Sequence, residues 1–294
     1  IGDTTSALSE SFVKQHSITI IPQVINFGVT SYLEGVDLDY DTFMQKLQAS
    51  KKLPKTAAPP PELFVEAFER LVPTGEPIIC ILPSAEVSGT VRSAMVGQDI
   101  LRESLKARGQ ADAGLDIRII DTRLIAGPVA ALIELAVQWA ADGLDADTIE
   151  ARVRDMSARG KIYFSVATLK YLAMGGRIGG AAALVGSVLQ VKPILTFREG
   201  RVDTFEKVRT HKRAVDLLKQ LVADQIARRD DGCLCVMHSA NFDEAQALAD
   251  ELAATLGIAN VPVRLMPPAV VTHGGPGILG VAFFTDKEVE AEAQ

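Results

Sequence analysis

Little in the chain is aromatic, sulfur-bearing or of one charge. Its 294 residues include three cysteines, four histidines and one tryptophan, and the aromatic share is 5%. Three cysteines cannot build the disulfide framework of a small secreted domain. Cys80, Cys233 and Cys235 each sit in an apolar run (IICIL, CLCVM), the setting of a small core residue. Cys-Leu-Cys is too tight a spacing to chelate zinc alone, and no second Cys or His pair completes a site. His16, His211, His238 and His273 are few and scattered, so no metal and no other cofactor is expected. Thirty basic residues against 37 acidic ones leave a formal charge of −7, which disfavours nucleic acid as a partner. No apolar run approaches the roughly 18 residues of a membrane helix. The best, Ala130 to Ala141, is short and holds Glu134. No charged start leads into an apolar segment, so neither a secretory signal nor an integral membrane segment is expected, and the cytoplasm is the default. The patterns G-x-x-x-x-G-K-[ST], H-E-x-x-H and G-x-S-x-G are all missing.

What is present is a globular α/β pattern. Hydrophobic residues make up 48% and charged residues 23%, enough for a real core. The length suggests about two domains of roughly 100–200 residues. Asp3 to Ser6 offers helix caps, with an amphipathic helix expected to follow to about His16. Ile18 to Phe27 reads as a strand, Asp37 to Gln48 as a helix, and Leu53 to Pro61 as a proline-bound loop before a helix over Glu62 to Leu71. Ile78 to Leu82 and Ile117 to Ile120 are all-apolar runs of the kind buried in a parallel sheet. Ser88 to Arg108, Pro128 to Ala141 and Ala146 to Ala158 read as helices. After Gly160 the texture changes. A strand over Lys161 to Ala167 leads into a Gly-rich stretch and a small-residue helix to about Leu189. Val191 to Phe197 and Val202 to Val208 flank a turn with Gly200 at its tip. Ala214 to Arg228 and Asp243 to Leu256 read as helices; Leu234 to Met237, Val261 to Leu265 and Ile278 to Phe284 read as strands. The tail after Thr285 is polar and expected to fray. A boundary is placed here between domains 1–158 and 159–294.

Several local motifs carry chemistry. Pro83 to Thr90 (PSAEVSGT) follows a buried strand and opens a helix, where free N–H groups and the helix dipole favour an anion. Ser88 serves equally well as a cap for its own helix. Thr56, in the proline-rich loop, reads alone as a loop or capping residue. Gly275 to Gly280 matches G-x-G-x-x-G formally, but a strand follows and no βαβ unit has room, so a dinucleotide site is rejected. The segment His273 to Gly280 is read instead as a tight turn, with His273 either a structural residue or a partner for an acidic ligand. Arg177, between glycines, is either solvated or a bidentate anion ligand. Arg198 to Arg213, with six basic and three acidic residues, is read as a solvated hairpin edge. Ser88 and His273 would suit a nucleophile and its base, although no residue stands out as the third, orienting group.

Taken in order, these motifs resemble the DegV family, whose members include the fatty-acid-binding subunits of bacterial fatty acid kinase. The resemblance runs from Gly2 to Ser6 through Ile21-Pro22, Tyr32 to Asp37, Thr56, Val87 to Thr90 with Ser93-Ala94, and Ile120 to Thr122. It continues through Leu169 to Ile178 (LKYLAMGGRI), Lys192 to Ile194, Lys207 to Arg209 and His273 to Gly280. It implies two α/β domains, the N-terminal with a mainly parallel sheet and the C-terminal with a mixed one, and a ligand tunnel between them. A long-chain fatty acid would lie in that tunnel, its carboxylate held by Thr56 and by the Ser88-Gly89 turn, with Arg177 and His273 near the head group. The resemblance implies a lipid-binding carrier that presents the carboxylate to a separate kinase and is not itself an enzyme. The alternative is a self-contained serine hydrolase or phosphotransferase using Ser88 and His273. Two positions depart from the family pattern: Ala57, where a hydroxyl is usual, and Ala85, where a second serine is more common.

Overall fold

A computed structural model describes residues 1–110, 115–185, 192–227 and 232–286. Gly2–Asp3 (β1) and Ile20–Ile21 (β2) pair in parallel, with Glu10–Gln15 (α1) between them. Val24–Phe27 (β3) is the centre of a small antiparallel sheet whose other strands are Thr30–Leu33 (β4) and Lys55–Ala57 (β5), with Ile25 opposite Thr56. Tyr40–Ala49 (α2) is capped by the Asp39 carboxylate, and Pro61–Leu71 (α3) has proline in its first turn, where a missing N–H costs nothing. Ile78–Leu82 (β6) and Ile117–Asp121 (β7) pair in parallel around the crossover helix Thr90–Ala107 (α4). The Ile81 N–H donates to the Ile1 carbonyl at 3.0 Å, so the two parallel pairs lie edge to edge. Gly127–Ala141 (α5) and Ala146–Arg159 (α6) complete this half.

The remaining strands form one mixed sheet. Gly160–Ser165 (β8) is followed by Lys170–Met174 (α7), then by the hairpin Lys192–Arg198 (β9) and Arg201–Val208 (β10). His211–Gln225 (α8), Cys235–His238 (β11), Phe242–Leu256 (α9), Val263–Leu265 (β12), Pro268–Gly274 (α10) and Leu279–Phe284 (β13) follow. The strand order is β10-β9-β8-β13-β11-β12, antiparallel except for β11 beside β12. One face, with Val236, Val281 and Phe283, packs on Leu218 and Val222 of α8 and Leu248 and Leu252 of α9. The other face, with Phe164, Leu195 and Met237, shares a continuous core with Ile25, Phe43, Ile120 and Leu132 from the first half. The fold is therefore α/β, with parallel strand pairs beside a small antiparallel sheet in its first half and a mixed sheet in its second.

Several expectations need correction. The first helix does not run on from the caps. Thr4–Ser6 is a single 3-10 turn capped by Asp3, and α1 starts only at Glu10, with Ser9 as its own cap. Ala7, at φ 57°, ends the first turn. The strand expected over Ile18 to Phe27 is split into β2 and β3 around Pro22, which has no N–H for a ladder. The loop expected over Leu53 to Pro61 contains β5, a strand limited to three residues because prolines bound it on both sides. The chain from Gly179 to Leu184 is a 3-10 helix; the expected continuation to Leu189 lies outside the described residues, as do Val191, Arg228 and the tail beyond 286. Short helix α10 was not anticipated. The tip of the β9–β10 hairpin is not simply solvated: Ser84 Oγ donates to Gly200 O at 2.8 Å, and Arg123 donates to Glu199 O at 2.9 Å. Arg201 Nε also pairs with Glu86 at 2.6 Å. A Cβ on Gly200 would meet Ser84 Oγ at 2.4 Å, so the tip must be glycine to dock there.

Candidate functional site

Elements from both halves of the chain surround one cavity of about 740 Å³, its opening included. Its walls are mostly apolar, with Ile162, Phe164, Leu172, Phe197, Met237 and Met266 among them. Thr56, Ser88, Arg177 and His273 all line it, and so do Thr5 and Gln23. A larger, more polar hollow of about 1800 Å³ lies by Glu134 and Arg264 and holds none of the four.

Each of these side chains has a local reason for its place. Thr56 sits in the middle of β5, where strand alternation turns it inward between exposed Lys55 and Ala57. Ser88 precedes α4; its Oγ accepts from the Thr90 N–H at 3.3 Å and lies 2.8 Å from the Thr90 hydroxyl. Gly89 caps α4 without lining the cavity. A Cβ there would come within 2.9 Å of Ala58 Cβ, so glycine lets the serine turn approach the Thr56 strand. His273 lies in the last turn of α10, and Thr56 Oγ1 and His273 Nε2 are 2.7 Å apart. Arg177 is half-buried, contrary to its solvated reading. Its guanidinium donates to Val87 O at 3.2 Å and Gly175 O at 2.8 Å, which joins the serine loop to the glycine-rich turn.

The electrostatics keep His273 neutral. A helix C-terminus favours an imidazolium. Burial outweighs that here and, with the nearby Arg177 charge, pushes the His273 pKa down to about 4. Among the described residues His273 Nδ1 has no hydrogen-bond partner, and it faces Gly175. A buried N–H without an acceptor is rarer than an unused lone pair. The proton therefore belongs on Nε2, donated to Thr56, which leaves the Thr56 hydroxyl proton for the cavity. A base poised for Ser88 would need the opposite arrangement. Nε2 is occupied by Thr56, and among the described residues no carboxylate orients Nδ1.

Behind this surface lies a buried acidic network that the sequence reading missed. The Asp3 carboxylate, fully buried, accepts from Thr5, Gln23 and Thr90. Glu34, 3% exposed, accepts from the Thr4 hydroxyl and from the Ala269 N–H at 2.9 Å in the first turn of α10. Burial raises the pKa of Asp3 and pushes that of Glu34 up to about 7. The available signal was Asp3 beside two hydroxyls: the capping role was visible, whereas its second oxygen's partners, Gln23 and Thr90, are long-range.

The DegV family profile, whose members carry the description of uncharacterised proteins, matches residues 1–286. The chain belongs to the DegV family. A DegV domain-containing protein of Halalkalibacterium halodurans is 32% identical over 98% of both chains. Another, from Streptomyces coelicolor, is 34% identical over 96% of both. Among solved structures, a fatty-acid-binding DegV family protein of Thermus thermophilus superimposes with a TM-score of 0.83 at 26% identity, covering 97% of this chain and 98% of that one. DegV of Bacillus subtilis, a fatty acid binding protein, gives the same TM-score, identity and coverage. A stearic-acid-binding protein of Eubacterium ventriosum reaches a TM-score of 0.86 at 24% identity over 98% of both chains, which establishes the shared fold. Among the described residues no helix is long and apolar enough to cross a membrane.

Proposed function

We propose that this DegV protein binds a long-chain fatty acid in the cavity, with the carboxylate at Thr56 and Ser88, and presents it to a separate kinase without catalysing a reaction itself. The observation carrying the reading is the cavity's composition: one apolar enclosure with Thr56, Ser88, Arg177 and His273 gathered on it. The fatty-acid-binding relatives at 26% identity support the ligand class. The neutral His273, bonded to Thr56 and lacking an orienting carboxylate, favours a carrier over a serine hydrolase. We read the chain as units 1–158 and 159–294 with the ligand between them; all six strands of the mixed sheet falling from Gly160 onward supports that division. The cytoplasm is the compartment in which a kinase partner would meet the carrier.

The energetics divide the labour. A tail of about 14 methylenes at ~0.8 kcal/mol each contributes roughly 11 kcal/mol. Association costs about 4–15 kcal/mol, so a preformed cavity is needed for tight binding. A charge-assisted hydrogen bond adds ~1.5–3 kcal/mol. The tail sets affinity and the head-group residues set orientation. Mass spectrometry of an organic extract of protein purified from bacteria should find about one long-chain fatty acid per chain. Delipidated protein without measurable affinity for C14–C18 acids would remove the proposal.

A further inference from the structure

The hydroxyl of Ser88 has one proton, and a chain of hydrogen bonds decides where it points. Asp3 Oδ1 accepts from the Thr5 N–H at 3.1 Å and the Thr5 hydroxyl at 2.6 Å. Asp3 Oδ2 accepts from the Gln23 amide at 2.6 Å and the Thr90 hydroxyl at 3.1 Å. Four donors converging on two oxygens suit an ionised carboxylate, because a protonated one would aim its own proton at another donor. Having donated to Asp3, Thr90 can only accept at its remaining contacts, from the Gln23 amide at 2.7 Å and from Ser88 at 2.8 Å. The chain thus runs Ser88 to Thr90 to Asp3. The Ser88 proton faces away from the cavity, and an entering carboxylate meets lone pairs.

We propose that a carboxylate binding at Ser88 is coupled to uptake of one proton by Asp3, which reverses the Asp3–Thr90–Ser88 chain and turns the Ser88 proton towards the ligand. This rests on the carboxylate ligand proposed above. The balance is simple. One proton from solution joins Asp3 Oδ2, the Thr90 hydroxyl rotates to donate to Ser88, and the Ser88 hydroxyl rotates to donate to the ligand. No other bond changes. The charge inventory favours the step: Asp3 is fully buried, and a second negative charge in the adjoining cavity works against its ionisation. Among the described residues the other charged or titratable groups facing this region are Glu34, His273 and Arg177. His273 is neutral, Arg177 is engaged with two carbonyls, and Glu34 is the rival acceptor.

The experiment is calorimetric titration of delipidated protein with laurate, kept below micelle formation, at pH 8 in buffers of differing ionisation enthalpy. The wild type should take up about one proton per laurate, with affinity falling about tenfold per pH unit once free Asp3 is ionised. Asp3→Asn places an amide donor towards Thr90 permanently; it should bind without proton uptake and with an affinity independent of pH. Thr90→Val should also lose the uptake, and Thr90→Ser should restore it. The carboxyl signal of bound ¹³C-labelled laurate should be that of a carboxylate. Binding without uptake in the wild type, uptake surviving in Asp3→Asn, uptake lost in Glu34→Gln, or a carboxylic-acid signal would each overturn the coupling. A wild-type chain that binds no fatty acid would remove the ligand reading and the coupling together, whereas binding without uptake removes the coupling alone. If Asp3→Asn fails to fold, the wild-type proton count and the Thr90 pair decide.

Discussion

Gly175→Ala isolates the placement of His273. Gly175 ends α7 at φ −77° and ψ −10°, a conformation any residue adopts, so the backbone is no obstacle. On conformational grounds alanine would stabilise the fold by about 0.4–1 kcal/mol through the unfolded chain. Sterically it should do the reverse. Its Cβ would lie 2.2 Å from His273 Nδ1 and 3.1 Å from Cε1, with the Tyr171 carbonyl at 3.0 Å. Non-bonded heavy atoms settle near 3.5–4 Å, so the imidazole must retreat by roughly 1 Å or more. That strains its 2.7 Å hydrogen bond to Thr56. Overpacking costs about 1–3 kcal/mol and a lost neutral hydrogen bond about 0.5–1.5 kcal/mol. The expected net loss is about 1–3 kcal/mol, read as a lower denaturation midpoint in urea. A double-mutant cycle assigns the cause: in a His273→Ala background the same substitution should be neutral or stabilising. Equal losses with and without His273, or a Gly175→Ala protein as stable as wild type, would refute the argument.

Other outcomes follow from the same geometry. Thr56→Ala and Ser88→Ala should each weaken palmitate binding roughly ten- to a hundredfold, about 1.5–3 kcal/mol, while the double variant still binds but no longer prefers the acid over its methyl ester. Full retention of that preference in a titration would place the head group elsewhere. His273 and Glu34 should give opposed pH limbs in urea denaturation. The His273 pKa is held at about 4, below the ordinary 6.5, so its contribution is present above pH 6.5 and lost as pH falls towards 4. That loss is about 3 kcal/mol and should vanish in His273→Gln. The Glu34 pKa is raised from 4.5 to about 7, so its contribution is present below pH 4.5, is lost as pH rises through 7, and should vanish in Glu34→Gln. The isolated protein should neither hydrolyse activated acyl esters nor consume ATP; turnover abolished by Ser88→Ala would favour the hydrolase instead. Given a kinase, Arg177→Ala should damage acyl phosphate formation more than fatty-acid binding, and equal losses would place Arg177 at the carboxylate or in the fold.

What the sequence disclosed depended on the range of the interaction responsible. Ile78 to Leu82 and the helix opening after Ser88 were readable because an all-apolar run and a capping pattern are local. The strand holding Thr56 was not, since its pairing partner Ile25 is set by tertiary contact and its prolines signalled a loop. Helix α10 escaped notice because His273 to Gly280 is dominated by glycines, although Pro267 and Pro268 mark its start. The glycine-rich stretch was visible as composition, but two of its glycines serve close approach. Cβ atoms at Gly179 and Gly180 would stand 2.0 Å from Val202 O and 2.2 Å from Asp203 Oδ1. Arg177, in the same turn, is held by the carbonyls of Val87 and Gly175. No single-sequence signal names the far partner of a glycine or of a buried carboxylate such as Asp3.

On the proposed reading, the head-group end would hold an anion without a dedicated countercharge. Its cation, Arg177, is committed to the carbonyls of Val87 and Gly175. Its imidazole is neutral, and the buried acids behind it, Asp3 and Glu34, supply no positive charge. A carboxylate gripped by a bidentate guanidinium would have both oxygens occupied in strong, charge-assisted bonds. In the proposed site, hydroxyls from Thr56 and Ser88 would orient it through single hydrogen bonds from uncharged donors, without a neutralising cation, and leave lone pairs free. For a carrier whose cargo must attack a phosphoryl group, that difference matters: an oxygen that is oriented yet not neutralised remains a nucleophile. On that reading the apolar cavity would supply most of the binding free energy, which is what would allow the head group to be held so lightly.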